Sequence, residues 1–132
     1  MFLDLDGFKL YNDTYGHDFG DAVLRHFART VQSAVRETDS VARLAGDEFT
    51  VILEGLAHPA AHAALVARKL LAELAVPVML GGRELTLAAS IGVAVTGGDS
   101  GGVALSAESL LSRADAAMYQ AKAAGKAQFV VS

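Results

Sequence analysis

Four carboxylates stand where they could do chemistry together. Asp4 and Asp6 close the apolar run Phe2-Leu3-Asp4-Leu5 at the entrance to a helix, and Asp47 and Glu48 fall between two further apolar runs, Val41–Leu44 and Phe49–Leu53. Those two runs read as a β-hairpin with Gly46 at its turn. If the first strand lies beside that hairpin, Asp4 and Asp47 meet at one sheet edge. Crowded carboxylates repel, and a divalent cation relieves them. Hard oxygen ligands select Mg²⁺ or Mn²⁺, which also take up substrate phosphates. Such a centre lowers the pKa of an attacking hydroxyl and clamps phosphates for in-line displacement. Taken alone, Asp47 and Glu48 read as solvated turn acids. The weight rests on Asp4 and Asp6, charges that end an apolar strand where a helix begins.

The residues that follow add phosphate and purine chemistry. Backbone N–H groups around Phe8 open a helix and can face phosphate oxygens, and Lys9 adds a point charge. Asn12 and Asp21 carry the donor and acceptor set that a guanine edge needs, although position alone makes Asp21 a helix N-cap. Gly125-Lys126 lacks the upstream glycine and the following Ser or Thr of a P-loop. His58 and His62 have a zinc-compatible i,i+4 spacing without the glutamate of a zincin, and read as surface residues.

Elements must hold these groups in place. Residues 1–5 read as a strand and 8–15 as a short helix ended by Gly16 in a left-handed conformation. Val23, Leu24, Phe27, Val31 and Ala34 mark the apolar face of a longer helix beginning at Asp21. Pro59 opens a helix to Leu74. Val76–Leu80 and Glu84–Val95 form a second hairpin around Gly81-Gly82. Residues 97–102 form a glycine-rich connector, 107–124 a fourth helix, and 128–131 a last strand. The order β-α-α-β-β-α-β-β-α-β implies an α+β fold, a mostly antiparallel central sheet with helices packed on both faces.

Composition bounds the rest. A chain of 132 residues fits one domain. It has no cysteine, which excludes disulfides, thiolate zinc sites, iron–sulfur clusters and a cysteine nucleophile. Eleven basic against 15 acidic side chains argue against a nonspecific nucleic-acid binder. A hydrophobic content of 52% argues against disorder. The apolar stretch from Leu65 to Leu80 is interrupted by Arg68, Lys69, Glu73 and Pro77 and is no membrane span. With no signal peptide at its start, the chain is expected to be cytoplasmic and free of membrane contact.

Several motifs converge on one family. Phe2-Leu3-Asp4-Leu5-Asp6-Gly7-Phe8-Lys9, with Asn12-Asp13, Gly16-His17 and Gly20-Asp21, resembles the opening signature of GGDEF domains, the diguanylate cyclases. Arg43-Leu44-Ala45-Gly46-Asp47-Glu48-Phe49 resembles the name-giving motif, with Ala45 at its first glycine. Ser90-Ile91-Gly92-Val93-Ala94 is similar to a later family strand. Asp115, Met118-Tyr119, Ala121-Lys122 and Gly125-Lys126 resemble the C-terminal helix signature.

The resemblance implies a palm-like, nucleotide-cyclase-like fold that condenses two GTP into cyclic di-GMP and releases pyrophosphate. It implies Asp4, Asp47 and the Leu5 carbonyl as ligands of Mg²⁺ or Mn²⁺, and Asp47 and Glu48 as the catalytic pair. Phe8, Lys9, Asn12, His17, Asp21, Lys122 and Lys126 would bind substrate, with Lys122 and Lys126 on the terminal phosphates. Catalysis would need a homodimer, each protomer holding one GTP. Arg36 and Asp39, an RxxD pair, would form an inhibitory site for cyclic di-GMP; read from spacing alone they are an i,i+3 ion pair. Residues 1–132 are expected to be a single domain of this family that begins within its first strand, without the N-terminal helix that precedes it elsewhere.

Overall fold

The computed structural model describes residues 1–97 and 105–132. In chain order the elements are β1 (Phe2–Leu5), α1 (Phe8–Tyr15), α2 (His17–Ala34), β2 (Ser40–Ala45), β3 (Glu48–Ile52), α3 (Pro59–Leu74), β4 (Val78–Leu80), β5 (Arg83–Leu85), β6 (Ala89–Val93), α4 (Ala107–Ala123) and β7 (Gln128–Val131). Five strands form the main sheet in the order β2-β3-β1-β6-β7, antiparallel except for the parallel pair β6–β7. The expected α+β sandwich is therefore present.

β1 is the central strand. All four of its residues are buried, and strand alternation sends them to opposite faces. Leu3 and Leu5 join the core built with Val23, Phe27 and Val31 of α2 and Ala67, Leu70 and Leu74 of α3. Phe2 packs on the other face against Ala114 and Met118 of α4. Phe27 and Phe49 meet edge to face at 5.1 Å, which ties α2 to the hairpin. Gly92 lets α4 lie directly on β6: a Cβ there would come within 1.9 Å of the Ala114 carbonyl oxygen and 2.3 Å of the Met118 nitrogen.

Two expectations are corrected here. α2 begins at His17, so Asp21 lies inside the helix and is not its N-cap. Gly16 is not left-handed helical: at φ 90°, ψ 169° it occupies a region open essentially to glycine alone, ends α1 and accepts the first α2 bond from the Gly20 N–H. Gly20 is a close-approach glycine, since an added Cβ would fall 1.7 Å from Asn12 Oδ1.

The second hairpin is also shorter than expected. Its first arm starts at Val78, after Pro77, which has no N–H for a ladder. Its second arm splits, because the Leu87 N–H donates to the Leu74 carbonyl at the end of α3 and draws the chain away from β4. β4 and β5 form a separate two-stranded sheet, and β6, buried at all five positions, enters the main one. The element order thus has one strand more than expected. Of the glycine-rich connector, residues 98–102 lie outside the described residues.

Candidate functional site

The hairpin β2–β3 turns at Gly46 and Asp47, with Gly46 taking the positive φ of 50°. Ala45 is not among the residues with positive φ, so its methyl group introduces no backbone strain at the motif's first position. Arg43 Nε donates to the Gly46 carbonyl at 2.7 Å and braces the tip. Antiparallel pairing of β1 with β3 sets Glu48 opposite Asp4. The Leu5 N–H donates to the Asp47 carbonyl at 3.3 Å, which fixes the turn against the end of β1.

A cleft of about 630 Å³ opens at this edge, and Asp4, Leu5, Phe8, Lys9, Asp47, Lys122 and Lys126 are among its walls. Asp13, which the motif reading did not single out, also lines it. Gly7, left-handed at φ 74°, precedes α1 and supplies no capping side chain, so no side chain covers the first N–H groups of the helix. Glu48 is not among the cleft walls, nor are Asn12, His17 and Asp21. Those last three sit around the α1–α2 junction, where Asn12 rests on Gly20, the neighbour of Asp21.

The electrostatics identify the crowded point. Burial, and then the hydrogen bonding and charge of Asp4, push the Asp47 carboxyl up to about 7. Lys122 of α4 forms an ion pair with Asp4. Burial pulls the Lys122 ammonium down, but the Asp4 contact outweighs it and holds the group above its ordinary value. A protein ammonium already answers one of two closely placed carboxylates. Their donors, with the Leu5 carbonyl, are all hard oxygens, and that set fits Mg²⁺ or Mn²⁺. No cluster of three or more His, Cys, Asp or Glu side chains suited to a metal exists among the described residues. A cation here would therefore rest on two carboxylates and a carbonyl.

Asp6, the fourth acid of the opening pattern, also lines the cleft, but its carboxylate is engaged by internal donors. Its Oδ1 accepts from Ser90 Oγ at 2.7 Å and its Oδ2 from the Ala127 N–H at 2.9 Å. The histidines His58 and His62 stand at the start of α3, exposed and half-buried respectively, away from the cleft walls.

Arg36 and Asp39 close on one another. Arg36 Nη2 reaches Asp39 Oδ1 at 3.0 Å and the Glu54 carbonyl at 2.7 Å, while Asp39 Oδ2 accepts from the Arg36 backbone N–H at 2.9 Å. Asp39 is buried, and the Arg36 hydrogen bond holds its carboxyl below the ordinary 3.8 despite that burial. A carboxyl depressed in the folded state stabilises the fold fully above its unfolded value and loses that contribution as pH falls through the lower folded value. Accordingly, Asp39→Asn is expected to lower Tm at neutral pH, and the gap to the unsubstituted protein is expected to narrow below about pH 4 in melts recorded across pH.

Comparison with known proteins decides the lineage. Residues 1–128 match the family described as diguanylate cyclase, GGDEF domain. This chain belongs to that family. It is 42% identical over 126 residues to the bifunctional diguanylate cyclase/cyclic di-GMP phosphodiesterase MucR of Pseudomonas aeruginosa, covering 96% of this chain and 18% of MucR. It is 40% identical over 131 residues to the cyclic di-GMP phosphodiesterase NbdA of the same organism, covering 98% of this chain and 16% of NbdA. The chain thus spans less than a fifth of the length of these curated relatives.

Among solved structures, the isolated GGDEF domain of YfiN from P. aeruginosa superposes with a TM-score of 0.89 at 37% identity, over 98% of this chain and 73% of that one. The GGDEF domain of DgcB from Caulobacter crescentus, solved in complex with cyclic di-GMP, gives 0.81 at 30% identity, over 98% and 74%. Among the described residues of this GGDEF domain, no helix is long and apolar enough to cross a membrane.

Proposed function

We propose that this GGDEF domain is a diguanylate cyclase: two GTP are joined into cyclic di-GMP with release of two pyrophosphates. The observation that carries the reading is the cleft in which the crowded pair Asp4 and Asp47 faces Lys122, Lys126 and the uncapped start of α1. Acids and bases are thus sorted as a metal–triphosphate needs them.

In this reading Asp4, Asp47 and the Leu5 carbonyl hold Mg²⁺ or Mn²⁺. The bound ion supplies charge neutralisation at the phosphates and lowers the pKa of the attacking hydroxyl. Lys122 and Lys126 bind the terminal phosphates, and the N–H groups at Phe8 and Lys9, with the Lys9 ammonium, bind phosphate oxygens nearer the nucleoside. Asn12 and Asp21 pair with the guanine edge, and His17 lies beside them. Asp47 or Glu48 helps to take the proton of the 3′-hydroxyl. That oxygen then bonds to the α-phosphorus of the facing GTP as the bond to the β-phosphate oxygen breaks and pyrophosphate leaves. A second, symmetric transfer closes the ring. Each domain presents one nucleotide, so a homodimer completes the site.

The test is incubation of the protein with GTP and Mg²⁺, with mass-spectrometric identification of products. Cyclic di-GMP is expected, with a rate that rises more steeply than linearly with protein concentration and vanishes in chelator. Saturable nucleotide binding without product would instead assign a GTP- or cyclic di-GMP-binding regulatory module. The similarity to the phosphodiesterase NbdA, of which this chain covers 16%, keeps that second reading specific.

We further assign Arg36 and Asp39 to product inhibition. Arg36 remains 47% exposed at its side chain while Asp39 orients it. Its planar fork suits the phosphate and guanine acceptors of cyclic di-GMP. Arg36→Ala is expected to raise the cyclic di-GMP concentration needed for half-inhibition about tenfold or more. Unchanged inhibition in initial-rate assays rejects the assignment.

A further inference from the structure

α4 ends in an ordered reversal. The Gly125 N–H donates to the Lys122 carbonyl at 3.3 Å and the Lys126 N–H to the Ala121 carbonyl at 3.0 Å, with Gly125 at φ 119°. This paired pattern ends a helix with a glycine of positive φ. The unusual feature comes next. Lys126 and Ala127 also have positive φ, 64° and 51°, and are the only non-glycine residues to do so among the described residues. Side chains disfavour that conformation, so surrounding contacts must impose it.

Asp6 supplies those contacts. One carboxylate oxygen accepts the Ala127 N–H, and the other accepts the hydroxyl of Ser90, which is fully buried on β6. Asp6 is itself fixed by its N–H on the Ala88 carbonyl at 2.9 Å. The loop closes through Gln128, which pairs with Ser90 across β6–β7 and donates from Nε2 to the Lys126 carbonyl at 3.1 Å. The strained residue that this frame holds, Lys126, lines the cleft.

We infer that Asp6 is a positioning residue, whose hydrogen bonds to Ser90 and Ala127 hold the turn after α4 so that the Lys126 ammonium meets the terminal phosphates of a nucleoside triphosphate. This rests on the proposed function, which puts GTP phosphates in the cleft. Asp6 also lines the cleft, but each of its carboxylate oxygens accepts an internal hydrogen bond, and the role assigned to it is exercised through Lys126.

Calorimetric binding of GTP and of GMP separates this role from a general structural one, because GMP lacks the terminal phosphates. Asp6→Ala is expected to weaken GTP binding about tenfold, the size of one charge-assisted contact, and to leave GMP binding within about twofold. In a Lys126→Ala background, Asp6→Ala is expected to cause no further loss. Asp6→Asn can still accept from Ala127 and donate to Ser90 Oγ, and is expected to rescue GTP binding. Should Asp6→Ala fail to fold, Ser90→Ala carries the same comparison at smaller amplitude. Equal losses for GTP and GMP, or a full further loss in the Lys126→Ala background, overturn the inference while the proposed function stands. An unsubstituted protein that binds no GTP overturns both.

Discussion

Asp47→Ala is expected to lower cyclic di-GMP formation about a thousandfold or more, since on the proposed function the change removes a metal ligand and a proton acceptor at once. GTP binding is expected to fall far less, because Lys122, Lys126 and the start of α1 remain in the cleft. The sign of the stability change separates a site residue from a structural one. Burial, and then the hydrogen bonding and charge of Asp4, push the Asp47 carboxyl up to about 7, so the folded state disfavours its charge. A carboxyl raised by folding opposes folding at any pH above its unfolded value. In the absence of divalent metal, Asp47→Ala is therefore expected to leave Tm unchanged or raise it at pH 8, while turnover collapses. A lowered Tm with residual turnover in proportion would mark Asp47 as a turn residue only.

Gly92→Ala is expected to cost about 3 kcal/mol of stability, at the upper end of what overpacking exacts. The atoms a methyl group would strike, the Ala114 carbonyl oxygen and the Met118 nitrogen, belong to the α4 backbone and cannot rotate away. Relief requires α4 to lift from β6. That movement reaches the site, because Lys122 stands on α4 and Lys126 follows its last turn. Denaturant unfolding is expected to show a lower midpoint, and whatever folded protein remains is expected to bind GTP more weakly. An unchanged midpoint would show that α4 does not bear on β6 as described.

The sequence patterns carried most of the elements where a local signal was available. Pro59 and the apolar spacing placed α3 at its observed bounds, and Gly125 marked the end of α4 within one residue. The failures share a physical cause, the use of tertiary contacts that local patterns do not contain. Gly16 and Gly20 look alike in sequence, yet one serves a backbone conformation and the other the approach of Asn12. The break between β5 and β6 depends on Leu87 finding the end of α3.

Within the site, the hairpin reading was enough to bring Asp47 to Asp4. The resemblance named Asp4 and not Asp6 as a ligand, but what Asp6 does was not legible. The two acids are two residues apart and chemically identical. Only partners far along the chain, Lys122 for Asp4 and Ser90 and Ala127 for Asp6, distinguish them. The Arg36–Asp39 spacing gave the ion pair, while the anchoring of Arg36 on the Glu54 carbonyl depends on the start and end of the hairpin lying together.

On the proposed function, Asp4 and Asp47 hold a divalent cation at the sheet edge. Electron paramagnetic resonance of Mn²⁺ titrated into metal-free protein reads this most directly. One saturable Mn²⁺ site per chain is expected, competed by Mg²⁺ and lost in Asp4→Asn/Asp47→Asn. Mn²⁺ binding by that double variant equal to that of the unsubstituted protein would contradict a cation site on these two carboxylates.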